Sequence, residues 1–111
     1  MTTGDDHEKN LVERIKNGDK LAFSILFSRY YSDLVRFGVS ITRDTAVAEE
    51  IVQDLFINLW QTRRELSAVG SLKSYLLRSV QNRSIDWLRH ESIRNSYAKL
   101  LLEHPVLLHN D

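Results

Sequence analysis

Cysteine is absent from the 111 residues. Disulfides and thiolate metal sites are therefore excluded, and a reducing compartment, the cytoplasm, is the expected location. Proline occurs once and glycine four times. So few breakers leave most of the chain free to run in helices. No apolar run approaches the roughly 20 residues of a membrane span. The N-terminal stretch MTTGDDHEKN has neither the basic nor the apolar segment of a secretory signal. Net charge is absent too, since 15 basic residues balance 15 acidic ones. Apolar residues are abundant at 42% and charged residues reach 27%, which suits one globular domain.

The apolar positions recur in steps of three and four. Residues 1–8 are polar and aperiodic, and are expected to be disordered. Leu11, Val12 and Ile15 mark a short helix that stops at Asn17-Gly18. Asp19 is a candidate cap for a second helix bearing Leu21, Phe23, Leu26, Phe27, Tyr30, Tyr31, Leu34, Phe37 and Ile41. Asp44 is a candidate cap for a third, with Ala48, Ile51, Val52, Leu55, Phe56, Leu59 and Trp60 as its stripe. After a loop at 65–71, Leu72, Tyr75, Leu76, Val80, Ser84, Trp87 and Leu88 mark a long fourth helix, and Pro105 ends helical reading near 103. No repeat and no convincing strand alternation is present. The fold class is all-α, a compact bundle of three main helices plus a short N-terminal one.

Catalytic and metal chemistry finds no purchase. There is no glycine-rich phosphate loop and no serine in a nucleophile elbow. The histidines at 7, 90, 104 and 109 lack partners at metal-ligand spacing. Glu50 and Asp54 share a helical face, but a surface helix offers no pocket for acid–base work. No enzyme activity, cofactor, metal or small-molecule substrate is expected.

The charge is segregated. Residues 44–59 carry Asp44, Glu49, Glu50 and Asp54 and no lysine or arginine. Residues 60–99 carry Arg63, Arg64, Lys73, Arg78, Arg83, Arg89, Arg94 and Lys99 against Glu65, Asp86 and Glu91. An acidic helix followed by a basic one suggests surfaces for two kinds of partner, although short charge blocks also arise on ordinary solvated faces.

Three segments carry a resemblance. Glu50, Gln53, Asp54 and Trp60 form an acidic-x-x-Gln-acidic helix ending in an aromatic residue. Tyr75, Leu76, Arg78 and Asn82, followed by Asp86-Trp87-Leu88-Arg89, form the next. Upstream lies LAFSILFSRYYSDLVRFGVSIT. In this order and spacing they resemble region 2 of bacterial RNA polymerase sigma factors, most closely the extracytoplasmic-function (ECF) group. The resemblance spans about residues 9–95, so 9–99 is read as a region 2 domain and 100–111 as the start of a linker or a C-terminal tail. The −35-reading helix-turn-helix domain of this group does not follow within the chain. The loop LSAVGSLK departs from the Phe-Arg and acidic residues common in relatives, so promoter preference does not carry over.

The resemblance implies two partners. Glu50, Gln53, Asp54, Asn58 and Trp60 would meet the β′ clamp helices of RNA polymerase core. The loop and fourth helix would hold the non-template strand of the promoter −10 element and help melt it, through Val69, Gly70, Ser71, Lys73, Ser74, Tyr75, Leu77 and Asn82. Arg63, Arg64, Arg78, Arg83 and Arg89 would join Lys73 on phosphates, which position a strand without reading it. Asn82 carries donor and acceptor groups suited to a base edge, and Tyr75 a ring that can stack a base. Trp60 and Tyr75 fit core positions equally well. An anti-sigma partner is a further implication. The alternatives are a helical protein-interaction module with no DNA role, and a stand-alone helix-turn-helix reader, for which the 65–71 joint is long.

Overall fold

The computed structural model describes residues 4–66 and 71–104. It contains α1 (Gly4–Lys16), α2 (Lys20–Thr42), α3 (Thr45–Gln61), a 3-10 turn (Arg63–Glu65) and α4 (Leu72–Glu103). The fold is an all-α bundle, as the periodicity predicts. Helix α2 is the central element, packed against each of the other three helices.

The capping residues explain where the helices begin. The Asp19 carboxylate accepts from the N–H groups of Leu21 and Ala22 at 3.0 and 3.2 Å. Asp44 accepts from Val47 at 3.1 Å. Ser71 caps α4 by accepting from the Ser74 N–H at 3.2 Å. Each satisfies a donor that the first helical turn leaves unpaired. Helix α2 ends at Arg43, whose φ of 60° is left-handed and whose N–H bonds the Val39 carbonyl.

The core joins Leu11 and Ile15 of α1, Leu26 and Leu34 of α2, Val52, Leu55, Phe56 and Leu59 of α3, and Leu72, Leu76 and Val80 of α4. Phe23 and Phe27 meet the edge of Phe56 at centroid distances of 6.1 and 4.9 Å. Below this aromatic cluster Gly38 is buried. A Cβ placed there would stand 3.1 Å from the Ala48 Cβ and 3.5 Å from the Val80 Cγ1. Glycine suits this close approach of α2 to α3, since a Cβ here would press on Ala48 while meeting Val80 at ordinary contact.

Three features depart from the sequence expectations. Helix α1 starts at Gly4, inside the segment expected to be disordered, and the Tyr30 hydroxyl donates to the Glu8 carboxylate, tying this early turn to α2. Leu21 is 65% exposed because it falls beside the Ala22, Leu26, Tyr30 and Leu34 stripe that faces inward. Helix α4 has 32 residues, about 48 Å at the usual rise, and no residue beyond Ser84 is buried. Its distal half projects from the bundle and draws the molecule out to 69 × 27 × 20 Å.

Burial, with the Glu8 contact adding to it, pushes the Tyr30 hydroxyl up to about 12. The folded state therefore holds this proton more tightly than the unfolded chain. The linked stability is complete below a pH of about 10, the ordinary tyrosine value, and is lost as pH rises toward 12. An absorbance titration should show Tyr30 ionising late among the four tyrosines. Tyr30→Phe should remove that step and flatten the alkaline decline in stability.

Candidate functional site

On α3 the side facing away from the core carries Glu50, Gln53, Asp54 and Asn58, all exposed. Their three- and four-residue spacing makes them one surface. No basic residue interrupts it. Gln53 is oriented from below, because its Nε2 donates to the Tyr31 hydroxyl at 3.2 Å. Tyr31 in turn stacks on Phe27 at a centroid distance of 4.8 Å. The acidic surface is thus anchored to α2 through an aromatic pair.

Trp60 does not join this surface in the expected way. It is half-buried, its ring 5.1 Å from that of Phe23. The Arg63 guanidinium lies over the Trp60 ring at 4.3 Å, and Arg63 Nη1 donates to the Trp60 carbonyl at 3.0 Å. The indole contacts both an aromatic ring and a cation, and its half-exposed remainder lies seven residues after Gln53 on the same side of α3. Ile57 occupies the exposed position instead, 56% accessible, seven residues after Glu50 and three after Asp54. Sequence reasoning missed it, although Ile57 falls outside the apolar period of α3 and that mismatch was readable.

On α4 the second surface is narrower than expected. Tyr75, Arg78, Asn82 and Arg89 are exposed, and their spacing of three, four and seven residues keeps them on one stripe. Tyr75 is therefore not a core residue. Arg83 is half-buried about 100° around the helix from Asn82. Leu77 is half-buried against the core. Ser71 is the helix cap, and Ser74 supplies the N–H it binds. Lys73 is exposed in the first turn but off the stripe. Arg64 is exposed, whereas Arg63 is turned onto Trp60. Val69 and Gly70 lie outside the described residues. Asp86, four residues after Asn82 and three before Arg89, falls on this stripe as its one carboxylate and pairs with the exposed His90 at 3.6 Å.

Both surfaces fall within a segment that matches a known family. Sigma-70 region 2 matches residues 26–93. The chain belongs to this family. Among similar curated proteins is "ECF RNA polymerase sigma factor SigK" of Mycobacterium bovis (strain BCG / Pasteur 1173P2), 29% identical over 86 residues, covering 77% of this chain and 46% of that protein. "Probable RNA polymerase sigma factor RfaY" of Xanthomonas campestris pv. campestris is 29% identical over 88 residues, 77% of this chain and 22% of its own length. A SigK of Mycobacterium ulcerans (strain Agy99) is 26% identical over 82 residues, 73% of this chain and 44% of that protein. The chain thus spans less than half the length of these relatives. No solved structure matches it. No helix among the described residues is long and apolar enough to cross a membrane.

The packed and the exposed positions of α3 should separate in stability measurements. Trp60→Ala should cost about 2–3 kcal/mol in urea denaturation, less than a fully enclosed aromatic side chain. Glu50→Ala and Asn58→Ala should stay within about 0.5 kcal/mol of wild type.

Proposed function

We propose that this chain is the region of an ECF sigma factor that docks on RNA polymerase and engages the opened promoter. Its function is binding rather than catalysis. The observation that carries this reading is the division of labour between two helices of a sigma-70 region 2 chain. Helix α3 exposes carboxylates and amides with no cation among them, while the α4 stripe exposes arginines, a tyrosine and an asparagine with one carboxylate, Asp86, among them.

The α3 surface fits a basic coiled coil, the β′ clamp helices of the polymerase. Glu50 and Asp54 supply charge, which steers encounter and sets orientation. Ile57 supplies an apolar contact one turn beyond Asp54. The Tyr31 bond holds Gln53 in one arrangement before docking, so less side-chain freedom is lost on binding. An anti-sigma partner would act by covering this same surface.

The α4 stripe fits a single strand of the −10 element. Arg78 and Arg89 would neutralise phosphates, Tyr75 would stack a base, and Asn82 would read a base edge. A base taken from the duplex must be held, because unstacking costs a few kcal/mol. With zero net charge the free protein lacks the electrostatic attraction that tight duplex binding requires. Polymerase docking would supply the rest, and the cytoplasm is the compartment in which both partners would be met.

The test is capture of a β′ clamp-helix coiled coil by this chain. Wild type should bind, and Gln53→Ala/Asp54→Lys should bind at least about tenfold more weakly, a loss of roughly 1.4 kcal/mol or more. Failure of well-folded wild type to bind would favour a helical interaction module with a different partner. Tight duplex binding by the free protein in a gel shift at physiological salt would contradict the strand reading.

A further inference from the structure

From Ile85 to Glu103 helix α4 buries no side chain and contains no proline or glycine. It is an unbroken helix standing clear of the bundle. A helix that packs on nothing gains little from its apolar residues, so a polar surface all round is expected. The surface is different. Ile93, Tyr97 and Leu100 are 68%, 62% and 43% exposed, and steps of four and three residues put them on one face. Arg89, four residues before Ile93, borders this face on one side. Arg94, three residues before Tyr97, borders it on the other. Arg94 reaches Glu91 at 3.4 Å, and none of the ion pairs among the described residues involves Arg89. The carboxylates stand at the two ends of the face, Asp86 matched by His90 and Glu103 at the last turn.

The complementary surface is on the same chain. Helix α3 exposes Glu50, Gln53 and Asp54, with Ile57 56% exposed one turn further on. The helix contains no lysine or arginine, and none of the ion pairs among the described residues involves Glu50 or Asp54. One face thus sets carboxylates beside an apolar side chain, and the other sets arginines beside apolar side chains. The two cannot meet within one molecule. The α3 surface faces away from the core. The proximal half of α4 is locked in that core by Leu72, Leu76 and Val80, and its distal half continues outward along the same helix. Two matched faces that cannot close on each other inside one chain can close between two chains.

We propose that the distal half of α4 docks on the α3 surface of a second copy of this chain. Ile93 and Tyr97 pack on Ile57, while Arg89 and Arg94 approach Glu50 and Asp54. The contact joins two different patches and is therefore heterologous. Opposite charge sets its orientation and disfavours pairing of like faces. Two single-helix faces make a small interface, in the class of transient contacts below about 1,200 Å². It forms as concentration rises and yields to a larger partner. Its consequence rests on the docking role proposed for α3. A copy engaged in this way has its polymerase-facing surface covered, by a basic helix that stands in for the clamp helices. Association of the free chain then competes with polymerase.

The experiment is sedimentation of the 111-residue chain over a concentration series, at low and at physiological salt. The mean mass should rise above 12.9 kDa with concentration, and rise less when salt screens the charges. Arg89→Glu/Arg94→Glu and Glu50→Lys/Asp54→Lys should each stay monomeric, with far-UV circular dichroism like that of wild type. Mixed in equal amounts the two variants should associate again, because the intact α4 of one meets the intact α3 of the other. Ile93→Gln/Tyr97→Gln, which keeps the charges, should weaken association at least about tenfold. A β′ clamp coiled coil should return the wild type to single copies. A wild type that is monomeric throughout would overturn the proposal, and capture of the coiled coil would still stand as a separate result. Association that survives reversal on α3 but not on α4 would also overturn it, showing α4 paired with α4. Association through both faces without capture of the coiled coil would uphold the contact and overturn the polymerase role of α3.

Discussion

Helices α2, α3 and α4 meet at Gly38, Ala48 and Val80, and the rest of the structure depends on that close approach. A Cβ at Gly38 would stand only 3.1 Å from the Ala48 Cβ. Admitting one would make Ala48 give by a few tenths of an ångström, next to the layer in which Phe56 meets Phe23 and Phe27. Densely packed interiors pass such displacements on rather than absorbing them. The outward faces of α3 and α4 are rigidly placed because their inward faces are locked to α2.

That rigidity gives the charge pattern its meaning. A chain with no net charge has no long-range preference for acid or base. Surface charges act over about 8 Å at physiological ionic strength. Carboxylates gathered on α3 and arginines on α4 can therefore address different partners only if the two helices keep fixed outward directions. The Tyr31–Gln53 bond and the Arg63–Trp60 stack show how α2 and the 3-10 turn trim each face, the first by orienting an amide, the second by drawing an arginine inward.

Much of this was legible in the sequence, and the gaps share a cause. Asp19 and Asp44 were readable as caps because capping is a local matter of a short polar side chain before an apolar period. The buried stripes of α3 and α4 were readable for the same reason. What periodicity does not reveal is which neighbour covers a face and where that neighbour ends. Leu21 fits the apolar period of α2 yet is exposed, because the contact face narrows to the stripe through Ala22, Leu26, Tyr30 and Leu34. Trp60 lies at the edge of the acidic surface yet turns to Phe23, and Ile57 takes the open position. Tyr75 fitted either core or surface until the packing of Leu72, Leu76 and Val80 placed it outside.

The most direct test of the account compares two charge-reversed variants in two assays. Asp54→Lys and Arg78→Glu/Arg89→Glu would each be measured for binding to polymerase core and for binding to single-stranded DNA within the assembled holoenzyme. The account predicts a crossed result. The α3 variant should lose polymerase, while the α4 variant should keep polymerase and lose the strand. Equal loss of both functions in both folded variants, or unchanged strand binding after reversal on α4, would contradict the separation of surfaces on which the account rests.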